Sequence, residues 1–149
     1  VHIIQIMDVN LIYPAILTNI ITLLLFLNSK NHDRRLLFIM IIGQLILING
    51  ESVKNQDKIQ LSHIIFTTSL TFGSLYFHEI HNKIFVFVLL LITIISRCVL
   101  SECLFNMSSS YHEFKFEKSF DFINYDYLFF TSIIIITYRL FKDKILIVE

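Results

Sequence analysis

The chain has 149 residues, 55% of them hydrophobic and 16% charged, with a mean hydropathy of +0.69 and 12 basic residues balanced by 12 acidic ones. Soluble globular chains carry about 25% charged residues, so this composition points into a bilayer, and a net charge of zero offers no field to recruit nucleic acid. The residue choice leans toward Ile, Phe, Leu and Asn, with three Gly, one Pro and no Trp, as in AT-rich coding sequence, which speaks of origin rather than function.

Apolar residues collect into five stretches, at 9–28, 36–49, 61–77, 84–104 and 124–141. Within them, 18–27 and 84–95 are apolar on every side and leave no solvated face. The expected fold is therefore all-α, a polytopic transmembrane helical bundle forming a single integral membrane domain over 1–149. A spanning helix needs about 20 residues to cross about 30 Å of hydrocarbon. The first stretch meets this, with Pro14 in its opening turns where a missing N–H is harmless. The second is short and holds Gly43 and Gln44, and the fifth is uninterrupted only between Asp126 and Arg139. Five spans are expected, or four if one of these short stretches is re-entrant or interfacial. Val1 in place of Met fits an unusual start codon or a trimmed chain, and no basic segment or cleavage site marks a secretory signal.

With five spans, Lys30, Arg34, Arg35, Lys83, Arg139, Lys142 and Lys144 share one side, and Lys54, Lys58, Arg97, Lys115 and Lys118 the other. The first set is the richer, which places that side and the C-terminus in the cytosol-equivalent compartment. Polar loops are expected at 50–60 and 106–123. In the second, Tyr111, Phe114, Phe116, Phe120 and Phe122 alternate with polar residues, as an aromatic belt at the headgroups or an amphipathic interfacial element.

The third stretch carries the most ordered polar pattern. His63, Thr67, Thr71, Ser74, His78 and His81 step by three or four residues and fall within a stripe about 80° wide on a continuous helix. In hydrocarbon such a face must meet another helix or a water-filled cavity. It reads as a helix-packing surface, with a proton or ion relay ending in the histidines as the alternative. His78, Glu79 and His81 also raise a metal or haem ligand set, yet HEIH is not the zincin HExxH and has no Cys or carboxylate partners at ligand spacing.

In the fourth stretch, Arg97 and Glu102 interrupt an apolar run. Arg97 lies near the far interface, where it can snorkel, or it can pair with Asp126 or Arg139 on the fifth stretch. Cys98 and Cys103 sit about 140° apart around a helix and do not reach each other as a disulfide. The segment from His81 to Glu102, HNKIFVFVLLLITIISRCVLSE, resembles small multi-span membrane proteins of large DNA viruses. In those proteins a His near the start of an apolar helix is followed by C-x-L-[ST] and a Glu, here Cys98, Leu100, Ser101 and Glu102. The segment departs from that pattern in lacking Trp and in having Ser96-Arg97 where Asn-rich turns are typical. The resemblance implies a membrane setting and an uncharacterised group, and transfers no activity.

No P-loop, dinucleotide-binding glycine fingerprint, paired catalytic carboxylate or nucleophile elbow occurs, so no catalytic residue and no cofactor is expected. The expected function is a non-catalytic structural or assembly component of a membrane complex or virion membrane. Its partners would be the lipid bilayer and other membrane subunits or copies of itself, without nucleic acid. Two alternatives stay open: a small proton or ion channel or transporter using the stripe from His63 to His81, and a haem- or metal-binding anchor of a redox complex.

Overall fold

The computed structural model describes residues 11–100 and 125–148. Among the described residues the chain is all-α: α1 (Ile12–Asn28), α2 (Asn31–Ser52), α3 (Gln56–Tyr76), α4 (Ile80–Leu100) and α5 (Tyr125–Val148), with no strand. The helices α1, α2 and α3 form two successive antiparallel pairs, and α3 is the central element, packed against α2, α4 and α5. Helices α4 and α5 run antiparallel. Lys83 meets Asp143 at one end of that pair and Arg97 meets Asp126 at the other.

The helices extend beyond the apolar stretches. Helix α2 begins at Asn31, ahead of Leu36, and continues to Ser52; α3 begins at Gln56 because Asn55 caps it, its side chain accepting from the Lys58 N–H at 3.2 Å. The expected polar loop over 50–60 is thereby corrected to a tight turn at 53–55, in which Lys54 takes the left-handed conformation with φ 54°. The loop expected at 106–123, with its aromatic residues, lies outside the described residues.

The core joins all five helices, the first through the half-buried Leu25 and Phe26, which pack against it. Leu37 and Met40 of α2, Leu70 of α3, Phe77 beyond it, Val86 and Leu90 of α4, and Phe129 and Ile136 of α5 form one buried cluster. A second cluster of Leu11, Ala15, Leu47 and Ile59 ties α1 to the far ends of α2 and α3. Gly43 sets the approach of α2 to α3. A Cβ there would stand 2.6 Å from Ile65 Cγ2, so only a residue without one allows this spacing.

Beside this apolar core, polar side chains are buried and large apolar ones are exposed on the same helices. On α1 the buried positions are Ala15, Asn19 and Thr22, one stripe at helical spacing, while Leu17, Ile20 and Leu24 are exposed. Gln60, Ser62, Thr67, Ser69 and Ser74 are buried on α3, whereas Leu61, Phe72 and Leu75 face outward. A groove of about 450 Å³ opens outward between α2 and α3, lined by Ile39, Ile64, Phe72 and Tyr76 with Arg35 at one end.

Among the described residues, two helices are long and apolar enough to cross a membrane, α2 and α4 over Ile80–Val99. Helix α1 is apolar but has 17 residues. Polar residues interrupt the other two: His63 with several hydroxyls in α3, and Arg139, Lys142, Asp143 and Lys144 in α5.

Candidate functional site

A polar layer closes one end of the bundle, where the α1–α2 turn, the α3–α4 connection and the last part of α5 meet. A helix end leaves backbone groups unpaired, and burying them unpaired is costly. Here side chains from other helices supply the partners. Arg34 of α2 donates from Nε to the Phe26 carbonyl at 3.0 Å and from Nη2 to that of Leu27 at 3.1 Å, finishing α1. Arg139 of α5 donates to the carbonyls of Ser74 at 2.6 Å and Phe77 at 2.5 Å, finishing α3. A cation at a helix C-terminus also complements the helix dipole.

Two carboxylates of the layer, Asp33 and Glu79, serve the opposite polarity. Asp33, in the first turn of α2 and 1% exposed, accepts from the His78 N–H at 3.0 Å, the Glu79 N–H at 3.0 Å and Asn82 Nδ2 at 2.8 Å, all leading into or starting α4. Glu79 in turn accepts from the Lys30 N–H, which leads into α2, at 3.0 Å. Asn82 Nδ2 also donates to Ser29 Oγ at 2.9 Å. Asp33 precedes the apolar run that starts at Leu36. Burial alone would raise its pKa, but the hydrogen bonds from Asn82, Glu79, His32 and His78 outweigh burial and hold the carboxyl below its ordinary value.

Lys83 anchors the layer to α5. Its side chain is 6% exposed and its Nζ meets Asp143 Oδ2 at 2.5 Å, which compensates an ammonium that would otherwise be buried alone.

His32, Asp33 and His78 present potential metal-ligating atoms that all lie within 4.8 Å of one another. The His32 ring stacks on Tyr76 with centroids 4.1 Å apart and meets the His78 ring edge-on at the same distance.

The polar stripe read from the sequence is divided by the structure. Helix α3 ends at Tyr76 and Phe77 is extended, with φ −63° and ψ 135°, so the helical repeat stops before His78. His78 is exposed in the connection, and His81 is in the first turn of α4 with Nε2 3.2 Å from Ser29 Oγ. The remaining members, His63, Thr67, Thr71 and Ser74, share α3. Thr71 donates to the Thr67 carbonyl at 3.0 Å and Ser74 to that of Thr71 at 2.7 Å, while the buried Thr67 hydroxyl has no hydrogen bond among the described residues. His78, Glu79 and His81 do not converge as one ligand set. His78 turns toward Asp33, and His81 Nε2 lies 3.8 Å from Glu79 Oε2.

At the opposite end Arg97 Nε meets Asp126 Oδ1 at 2.5 Å, and its guanidinium lies 5.8 Å from the Phe129 ring centroid. Arg97 thus meets Asp126 of α5, one of the partners the sequence offers, in a pair that is exposed rather than buried. Cys98 is exposed with a free thiol. Leu100 is the last residue of α4, whereas Ser101, Glu102 and Cys103 lie outside the described residues.

Sequence reasoning missed His32, Asp33, Asn82 and Asp143. The available signal was an acidic residue just ahead of an apolar run, Asp33 before Leu36 and Glu79 before Ile84, the position from which a carboxylate meets a helix N-terminus. Neither a protein-family model, nor a curated protein, nor a solved structure matches the chain.

Proposed function

We propose that the chain is a multi-pass integral membrane component without catalysis of its own, a structural or assembly subunit of a membrane complex or virion membrane. The observation that carries this reading is the set of large apolar side chains turned outward from every helix, while hydroxyls, amides and charges are buried beside the apolar core or paired at the helix ends. In water those outward faces would drive aggregation; in lipid they cost nothing, and other subunits or copies can cover them. The α3 stripe then acts as a packing face, since Thr71 and Ser74 close onto carbonyls of their own helix. The layer holding Lys30, Arg34, Lys83 and Arg139 lies on the cytosol-equivalent side, as the basic bias favours.

The test is extraction of native membranes with alkaline carbonate, followed by mild detergent and mass spectrometry of what co-purifies. Retention through carbonate together with a stable set of membrane subunits, or a discrete homo-oligomer, is the expected result. Release into the carbonate supernatant overturns the membrane setting, and a monodisperse monomer overturns the assembly role.

A further inference from the structure

His32 and Asp33 are neighbours at the start of α2, and the α3–α4 connection brings His78 to the same spot. His32 Nδ1 stands 3.1 Å and His78 Nδ1 4.0 Å from a single oxygen, Asp33 Oδ1. Two donors held tetrahedrally on Zn²⁺ at 2.0–2.1 Å stand about 3.3 Å apart. His32 and Asp33 are already near that spacing. His78, whose side chain is 69% exposed, closes the set by rotating its ring.

We infer that His32, Asp33 and His78 form a binding site for one divalent transition-metal ion of the Zn²⁺ type, with water in the fourth position. The ion would clip the α1–α2 turn to the α3–α4 connection. Imidazole and carboxylate donors suit a borderline ion of this class and not Cu(I), which prefers sulfur.

The surroundings orient the ligands as outer-shell groups do in metal sites. Asp33 Oδ2 is held by the Glu79 N–H and Asn82 Nδ2, while Oδ1 accepts from the His78 N–H at 3.0 Å and keeps a second lone pair toward the two rings. Tyr76 stacks on His32 and fixes its plane. In the ion-free protein both Nδ1 atoms face acceptors, Asp33 Oδ1 for His32 and the Tyr76 carbonyl at 2.9 Å for His78, so each carries its proton there. Binding moves each proton from Nδ1 to Nε2 of the same ring, which stays neutral, and frees the Nδ1 lone pair for the ion. No other bond is made or broken. This site does not depend on the membrane role, because its ligands are all within the described polar layer.

The test is a Zn²⁺ titration of the detergent-purified chain carrying no histidine tag, by calorimetry, with Co²⁺ as a spectroscopic substitute. One equivalent of Zn²⁺, a raised Tm and the intense visible bands of tetrahedral Co²⁺ are expected. His32→Ala and His78→Ala each weaken binding by about tenfold or more, and His81→Ala leaves it unchanged. Asp33 is kept, because it also holds the fold. No binding by the parent chain overturns the site. So does equal binding by the His32→Ala/His78→Ala double variant, or a loss with His81→Ala as large as with the other two, since either marks an ion scattered over surface imidazoles.

Discussion

The N–H of Glu79 donates to the carboxylate of Asp33 at 3.0 Å, across 46 residues of sequence. The Glu79 carboxylate returns the service to the entry of α2, accepting from Lys30 N–H at 3.0 Å. In an ordinary capping box a helix supplies both partners for its own first turn. Here α2 and α4 exchange them, so neither start is complete without the other.

Asp33→Ala removes the acceptor from two backbone N–H groups and from Asn82, and leaves them buried. The expected loss is about 3 kcal/mol, the scale of losing hydrogen bonds to a buried charged group. Thermal unfolding in detergent measures it. A double-mutant cycle with Asn82→Ala should return a coupling of about 1 kcal/mol or more, because the two side chains bond directly. Additive losses would place their contributions elsewhere.

The same carboxylate predicts an acid limb. Its pKa is held below the ordinary value in the folded chain, so its contribution is fully present above the unfolded value of about 3.9 and is lost as pH falls through the lower folded value. Tm plotted against pH should therefore fall below about pH 4, and the fall should be shallower in Asp33→Asn. A parallel fall in both proteins would remove Asp33 as its source.

Arg139→Met keeps much of the side chain's volume and removes its donors. The carbonyls of Ser74 and Phe77 then lose their partners, at an expected cost of about 2 kcal/mol. Limited proteolysis should cut near α5 sooner than in the parent, while Arg139→Lys recovers part of the protection.

Gly43→Ala drives a methyl against Ile65, whose Cγ2 would be 2.6 Å away. Overpacking of this kind costs about 1–3 kcal/mol. Adding Ile65→Ala, which removes the opposing atom, should restore part of the stability and identify the helix approach as the cause.

The all-α class was legible because α1 and α4 each carry a long apolar run, broken in α1 by Thr18, Asn19 and Thr22 and over 84–95 of α4 by Thr93 alone, a signal carried within each segment. The end of α3 was not. Phe77 continues the apolar run with no Pro or Gly to interrupt it, and the helix stops where Arg139 takes its last carbonyls and Asp33 takes the His78 N–H. Those partners are 65 and 45 residues away from Ser74 and His78 respectively, beyond any periodicity. The stripe from His63 to Ser74 was visible for the converse reason, being internal to one helix. Arg97 was recognised as a charge needing an explanation, but its choice of Asp126 required α4 and α5 to be laid side by side.

Sequence position limits how early each part of the polar layer can close during synthesis. Asp33, Glu79 and Asn82 can engage once residue 82 has left the ribosome, whereas Lys83 and the carbonyls of Ser74 and Phe77 must wait for Arg139 and Asp143. Until α5 arrives, the nascent bundle carries an uncompensated ammonium and two bare carbonyls at one rim. A chain halted before residue 139 would display that rim to the cell's quality-control machinery, and the final helix removes it.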